Sequence, residues 1–245
     1  MSGTAPSCGR SPLGLLAVGL GPVKGPLAVN SPYGSYYNLH WECRCARHAV
    51  DRSKVLPLMT TLTGIQLEDY CVLAADSQIT EDNLRTISTV TPKIVSVGRY
   101  LLGITGDSRP GDILTYNWSP PKYTGADPVQ WMGKKMLPSI ISAFKENGYD
   151  PYEATKEKDA GFDYLLAFNG NLFHIAVDLS FIQSKHHIYG LGSGGQFALG
   201  YLVGLPTASL NKDPERHAEK AVQLASMLDV NTHPPIQLIT QRREY

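Results

Sequence analysis

From residue 60 onward the chain carries short β-rich and apolar runs bounded by turn residues. Residues 1–58 show no sustained period of 2 or 3.6, and their Gly, Pro, Ser and Arg content predicts no stable element. TLTGIQL and YCVLAADS flank EDY and read as a β-hairpin. KIVSV and YLLGIT follow as two more strands around a Gly-Arg turn. RPGDILTYNW predicts a short helix that Ser119-Pro120-Pro121 ends, because proline has no N–H and crowds the turn before it. DPVQWMGKKMLPSIISAFKENG predicts a longer one, with Asp127 as N-cap, Pro128 in the first turn and Gly148 at the end. Its Trp131, Met132, Met136, Ile140, Ile141 and Phe144 fall at helical spacing and are expected in the core.

FDYLLAFNGNLFHIAVDLS is the strongest hairpin signal, with Asn169-Gly170 supplying a turn that matches strand twist. HHIYGLGSGGQFALGYLVGL reads as strand, glycine-rich turn and helix, and DPERHAEKAVQLASMLD as an amphipathic helix. PPIQLITQ closes the chain as a strand. The succession is strands, two helices, strands, two helices, strand. It predicts an α+β class fold, a four-layer αββα sandwich of two antiparallel sheets, over residues 60–245. Residues 1–59 form a leader, either a propeptide or a misassigned start.

Composition narrows the function. With 42% hydrophobic and 18% charged residues, the chain can build one sizeable core. Lys plus Arg equals Asp plus Glu at 22 each, so the basic excess of a nucleic-acid binder is missing and no nucleic-acid partner is expected. Cys8, Cys43, Cys45 and Cys71 form neither a disulfide framework nor a zinc-ligand spacing, and no metal or other cofactor is assigned. LGLLAVGLGPVKGPLAV is broken by Gly, Pro and Lys24 and falls short of the about 20 apolar residues a span needs. The expectation is a cytoplasmic protein with no membrane partner.

The candidate chemistry centres on Met59-Thr60-Thr61. A threonine hydroxyl is a poor nucleophile unless a base takes its proton. An N-terminal threonine carries that base itself, an α-amine of reference pKa about 7.7–8.0. Thr60 is therefore read as the working N-terminus, inert while its nitrogen is in a peptide bond. Such a site also needs a cation to favour the neutral amine, a carboxylate to hold that cation, and N–H groups for an oxyanion. Asp76 lies 16 residues after Thr60, at the end of the returning hairpin strand, and Lys93 opens the next strand.

The ordered set TTLTGI, VLAADSQIT, PKIVSV, YLLGITGD and GLGSGG resembles the proteasome β-type subunits and the bacterial peptidase HslV, both N-terminal-nucleophile hydrolases. The resemblance covers residues 60–245. It implies Thr60 as nucleophile, Asp76 and Lys93 as the family's aspartate and lysine, and Ser193 as the serine supporting the amine. Asp229 and Thr232 match the aspartate and serine near the last helix end, with threonine replacing serine. The oxyanion N–H falls to Gly106 or Asp107: counting from Lys93 favours Asp107, close approach favours Gly106. Ser193 read without the family is an N-cap, and His186 and His187 are surface or strand-face residues.

The implied activity is that of a threonine-type endopeptidase acting on peptide or unfolded-protein substrates as a homo-oligomer, with room for an ATPase partner. A non-catalytic β-type structural subunit and a small-amide hydrolase are the alternatives. Two departures stand out. Met59 replaces the glycine that usually precedes a self-cleaved threonine, which favours removal of an initiator methionine. Pro120-Pro121 shortens the first helix, so a seven-fold ring is not assumed. Ile79, Thr91 and Thr105 are expected to line the substrate pocket.

Overall fold

The computed structural model describes residues 60–81, 84–87, 92–156 and 161–243. The leader and Thr91 lie outside the described residues.

Short apolar runs, buried along nearly their whole length, form two antiparallel sheets. The first is ordered β10-β1-β2-β11: β1 (Leu62–Gln66) and β2 (Tyr70–Ala75) form the expected hairpin, flanked by β10 (Ile188–Leu191) and β11 (Gln237–Arg242). The second is ordered β5-β6-β7-β8-β9, from β5 (Ile94–Val97), β6 (Tyr100–Gly106), β7 (Phe162–Phe168), β8 (Asn171–Ile175) and β9 (Phe181–Ile182). Asn169 and Gly170 both take positive φ, 47° and 72°, which is what a tight turn between β7 and β8 requires. A separate ribbon of β3 (Gln78–Glu81) and β4 (Leu84–Ile87), which the sequence pattern does not announce, leaves the first sheet after Asp76.

The helices cover the outer faces. α1 (Ser108–Asp112) opens into a wider π-helical turn, Ile113–Asn117, and stops before the two prolines. α2 (Pro128–Trp131) and α3 (Leu137–Glu146) run on through another such turn, Met132–Met136, with Asp127 accepting the Gln130 N–H at 2.8 Å. Pro138 has no N–H to offer the preceding turn, and the widened stretch lies just ahead of it. α4 (Pro151–Lys156), α5 (Gly195–Val203), α6 (Thr207–Lys212) and α7 (Pro214–Leu228) complete the set; α4, α6 and the two-residue β9 are too short to give a periodic signal.

Three apolar clusters fill the three gaps of the four-layer sandwich. Trp131, Met132, Met136, Ile140 and Phe144 pack with Tyr164, Leu166 and Phe168 between α1–α3 and the second sheet. Ala218, Ala221, Val222 and Ala225 of α7 pack on Ile65, Val72 and Ala74 of the first. Leu62, Leu73, Leu101, Leu165 and Leu172 lie between the sheets. Each such burial contributes about 1.5–3 kcal/mol for a large side chain. Ile141 departs from expectation: it is 47% exposed, because it lies about 100° round α3 from the buried Ile140, off the face that Ile140, Ala143 and Phe144 turn to the core.

Candidate active site

Strand register carries Thr60 to one end of the first sheet. The last pairs of β1 are Leu62↔Ala75 on one side and Leu62↔Leu191 on the other. Thr61 continues the ladder: its N–H donates to Asp76 Oδ1 at 2.8 Å, and the Asp76 N–H donates to Thr61 O at 3.1 Å. Thr60 is therefore the first residue beyond the ladder, and it is 3% exposed. Gly192 (φ 81°) packs so closely that an added Cβ would sit 1.9 Å from the Thr60 carbonyl oxygen. Gly192→Ala is expected to displace Thr60, costing about 1–2 kcal/mol of stability for the positive φ alone; activity assays beside thermal melts would show the activity falling further than the stability.

Asp76 is 1% exposed, and all its acceptor positions are filled. Besides Thr61, Lys93 Nζ donates to Oδ1 at 2.7 Å, while the Gln78 and His233 N–H groups donate to Oδ2 at 2.9 and 3.2 Å. The Lys93 side chain is only 10% exposed, which excludes the solvated strand-end reading. Burial pushes its amine below the usual lysine value, against the pull of Asp76. Burial likewise raises the Asp76 carboxyl, opposed by Lys93 and the Thr61 and Gln78 amides. Gln78 Nε2 also donates to Val230 O at 3.1 Å, tying β3 to the turn after α7.

That turn holds a second hub. Ser193 Oγ and Thr232 Oγ1 each donate to Asp229 Oδ2 at 2.7 Å, and the Asn231 N–H donates to Oδ1 at 3.1 Å. Thr61 and Thr232 hydroxyl oxygens are 2.6 Å apart; with the Thr232 proton given to Asp229, Thr61 is the donor. Ser193 does not cap α5, whose N-cap position is Gly194. Desolvation raises the Asp229 carboxyl, but donors from Ser193, Thr232 and Asn231 outweigh it and hold the group below 3.8. A depressed carboxyl contributes stability above its unfolded value and loses it as pH falls through the folded one. The stability gap between wild type and Asp229→Asn is therefore expected to be full at neutral pH and to close below pH 3.8, which urea titrations at several acidic pH values would read.

Between Thr60 and α1 lies a cavity of about 500 Å³, bordered by Thr60, Lys93 and Gly106. Gly106 (φ 83°) leaves no room for a Cβ, which would meet Gly161 O at 1.9 Å. The Asp107 N–H is spent on Gly161 O at 2.9 Å, and the Asp107 side chain accepts the Arg109 N–H at the start of α1. The Ile104 N–H donates to Lys93 O at 2.9 Å on the β5 side. Alternation along β6 turns the Gly106 N–H to that same side. Of the two oxyanion candidates, Gly106 is the one at the cavity.

Ile79 lines the cavity as expected. Thr105 does not: it is buried, and its hydroxyl donates to Asp163 O at 3.3 Å. His186 and His187 border a different cavity, of about 830 Å³, at the Gln66 end of β1. Cys71 is fully buried, and burial pushes its thiol up to about 12. Among the described residues no group of three or more His, Cys, Asp or Glu is placed to hold a metal ion, and no helix is long and apolar enough to cross a membrane.

Thr61, Gln78 and His233 were not anticipated. Gln78 and His233 hold Asp76 through backbone N–H groups, which every residue but proline carries, so no side-chain signal marks them. Thr61 had a signal in the Thr-Thr pair itself.

No family model and no curated protein matches the sequence. Solved structures do match. BPH of Thiobacillus denitrificans is 21% identical, with 76% of this chain and 99% of that one covered at a TM-score of 0.58. The same BPH in complex with epoxomicin gives 20% identity, coverage of 76% and 100%, and a TM-score of 0.55. Eukaryotic HslV from Trypanosoma brucei gives 18% identity, coverage of 75% and 100%, and 0.52. At these identities the likeness is one of fold. Two antiparallel sheets between helical layers, matched along the full length of BPH and HslV, give this chain the proteasome β-type, HslV-like fold of the N-terminal-nucleophile hydrolases.

Proposed function

We propose that the chain is a threonine-type endopeptidase, with Thr60 as nucleophile once the Met59–Thr60 bond has been opened. Thr60 Oγ1 attacks a peptide carbonyl carbon while the freed α-amine takes the hydroxyl proton. The Gly106 N–H stabilises the oxyanion, and the protonated amine hands its proton to the leaving amine as the C–N bond breaks. Water then hydrolyses the ester and regenerates Thr60. Lys93 is the cation that favours the neutral amine, and Asp76 fixes it. Asp229, with Ser193 and Thr232, positions the other side of the amine. The initiator reading of Met59 requires only that a methionine aminopeptidase act before Thr60 is buried.

One observation carries this reading: Thr60, Lys93 and Gly106 border one cavity, with Asp76 bonded to both Lys93 and the Thr61 backbone. A purely structural subunit has no need of a buried lysine held beside its first strand residue, which counts against the non-catalytic alternative. A homo-oligomer in the cytoplasm is part of the proposal, with an ATPase partner as its optional feeder. The test is intact-mass spectrometry of the purified protein before and after an epoxyketone probe. A chain beginning at Thr60 that gains one probe mass is expected. A chain that keeps the Met59–Thr60 bond and still cleaves peptides overturns the mechanism.

A further inference from the structure

Resting on the peptidase reading above, we propose that this chain cuts after basic residues, arginine foremost, and that Asp112 selects them. The cavity beside Thr60 has two kinds of wall. Ile79, Val95 and Ile104, from β3, β5 and β6, make it apolar on the sheet side, while Asp112 and Tyr116 border it on the helical side. The helical wall is fixed in place. A Cβ on Gly111 would meet Ile104 Cδ1 at 2.9 Å, so α1 lies directly against β6 at the residue before Asp112.

Charge decides what fits between these walls. Among the described residues, Lys93 and Asp112 are the cation and the carboxylate that border the cavity. The Lys93 charge is already met by Asp76 at 2.7 Å. The Asp112 carboxylate has no hydrogen bond or ion pair among the described residues, and Arg109, on the same helix, forms no ion pair with it. Among the described residues the cavity therefore presents an unpaired carboxylate, that of Asp112, beside an apolar surface. A substrate side chain with an apolar stem and a cationic head answers both at once: the stem lies along Ile79, Val95 and Ile104, and the head meets Asp112. Tyr116, one turn further on and 80% exposed, offers a ring face that favours a guanidinium over an ammonium. An acidic side chain would meet the same carboxylate unscreened by any partner. Asp112 is exposed, so solvent limits the effect to about tenfold and makes it salt-dependent.

The experiment uses the full chain processed to Thr60 and three peptide reporters that differ only in the residue before the cut: arginine, leucine or glutamate. The expected order of kcat/KM is arginine, leucine, glutamate, with arginine ahead of leucine by about tenfold at low salt and the ratio shrinking towards molar salt. Asp112→Asn should bring the arginine-to-leucine ratio close to one, and Asp112→Lys should move glutamate to the front. Leucine preferred by wild type, or a ratio unmoved by salt and by Asp112→Asn, overturns the inference and leaves the peptidase intact. Failure to cut any of the three, together with no epoxyketone adduct, overturns the peptidase reading and this one with it.

Discussion

Thr60→Ala is expected to fold, assemble and melt like wild type while losing peptide hydrolysis by a factor on the order of 10⁴–10⁶, the scale seen when an activated nucleophile is deleted. The reasoning is local. Thr60 lies beyond the β1 ladder, so its side chain takes part in no strand pairing, and removal of its hydroxyl leaves the Thr61–Asp76 and Thr61–Thr232 bonds in place. Thr60→Ser keeps both the hydroxyl and the amine and should stay within roughly tenfold of wild type. Steady-state kinetics beside thermal unfolding separate the two properties. An alanine variant that cleaves as well as wild type would leave no place for the mechanism.

Asp76→Ala is expected to be the most destabilising single change at the site. It strips the anion from a lysine whose side chain is 10% exposed, and it leaves the N–H groups of Thr61, Gln78 and His233 without their acceptor. Breaking a buried pair from one side costs about 3–5 kcal/mol, because the surviving charge stays in the interior. The double variant with Lys93→Met should recover part of that loss, since no charge is then stranded, yet recover no activity. Urea unfolding of the four proteins in the cycle gives the coupling. A single-variant loss within about 0.5 kcal/mol, the range of ordinary surface changes, would mean that solvent reaches the pair freely.

Much of the architecture could be read from residues alone, for reasons specific to each element. The β7–β8 hairpin was legible because Asn169-Gly170 is a turn signal of few meanings, and the α2–α3 start because Asp127-Pro128 caps and opens a helix. Ile141 shows the limit of an apolar count: adjacent helix positions point about 100° apart, so with Ile140 at the centre of the buried face its neighbour turns outward. The β3–β4 ribbon is not legible because QITE and LRTI are short, half-polar strands that, among the described residues, pair with each other alone.

The site divides in the same way. Spacing and the needs of an amine base single out Asp76 and Lys93, and the two are bonded to each other at 2.7 Å. Their confinement is not legible, since it depends on Gln78 and His233 supplying main-chain donors from distant parts of the chain. Thr105, expected at the cavity, instead bonds Asp163 across to β7, because strand alternation sends it to the face opposite Ile104. Asp112 and Tyr116 reach the cavity only through the packing of α1 on Ile104, which no local pattern encodes.

The doubled threonine offers no spare. A molecule trimmed one residue too far would begin at Thr61, whose nitrogen is already given to Asp76 and whose hydroxyl is given to Thr232, with the wrong face of the strand turned to the cavity. Ragged ends in a preparation would then be silent rather than slow: turnover per mole of protein would track the fraction of chains starting at the correct residue, and end-group counting would set the true enzyme concentration.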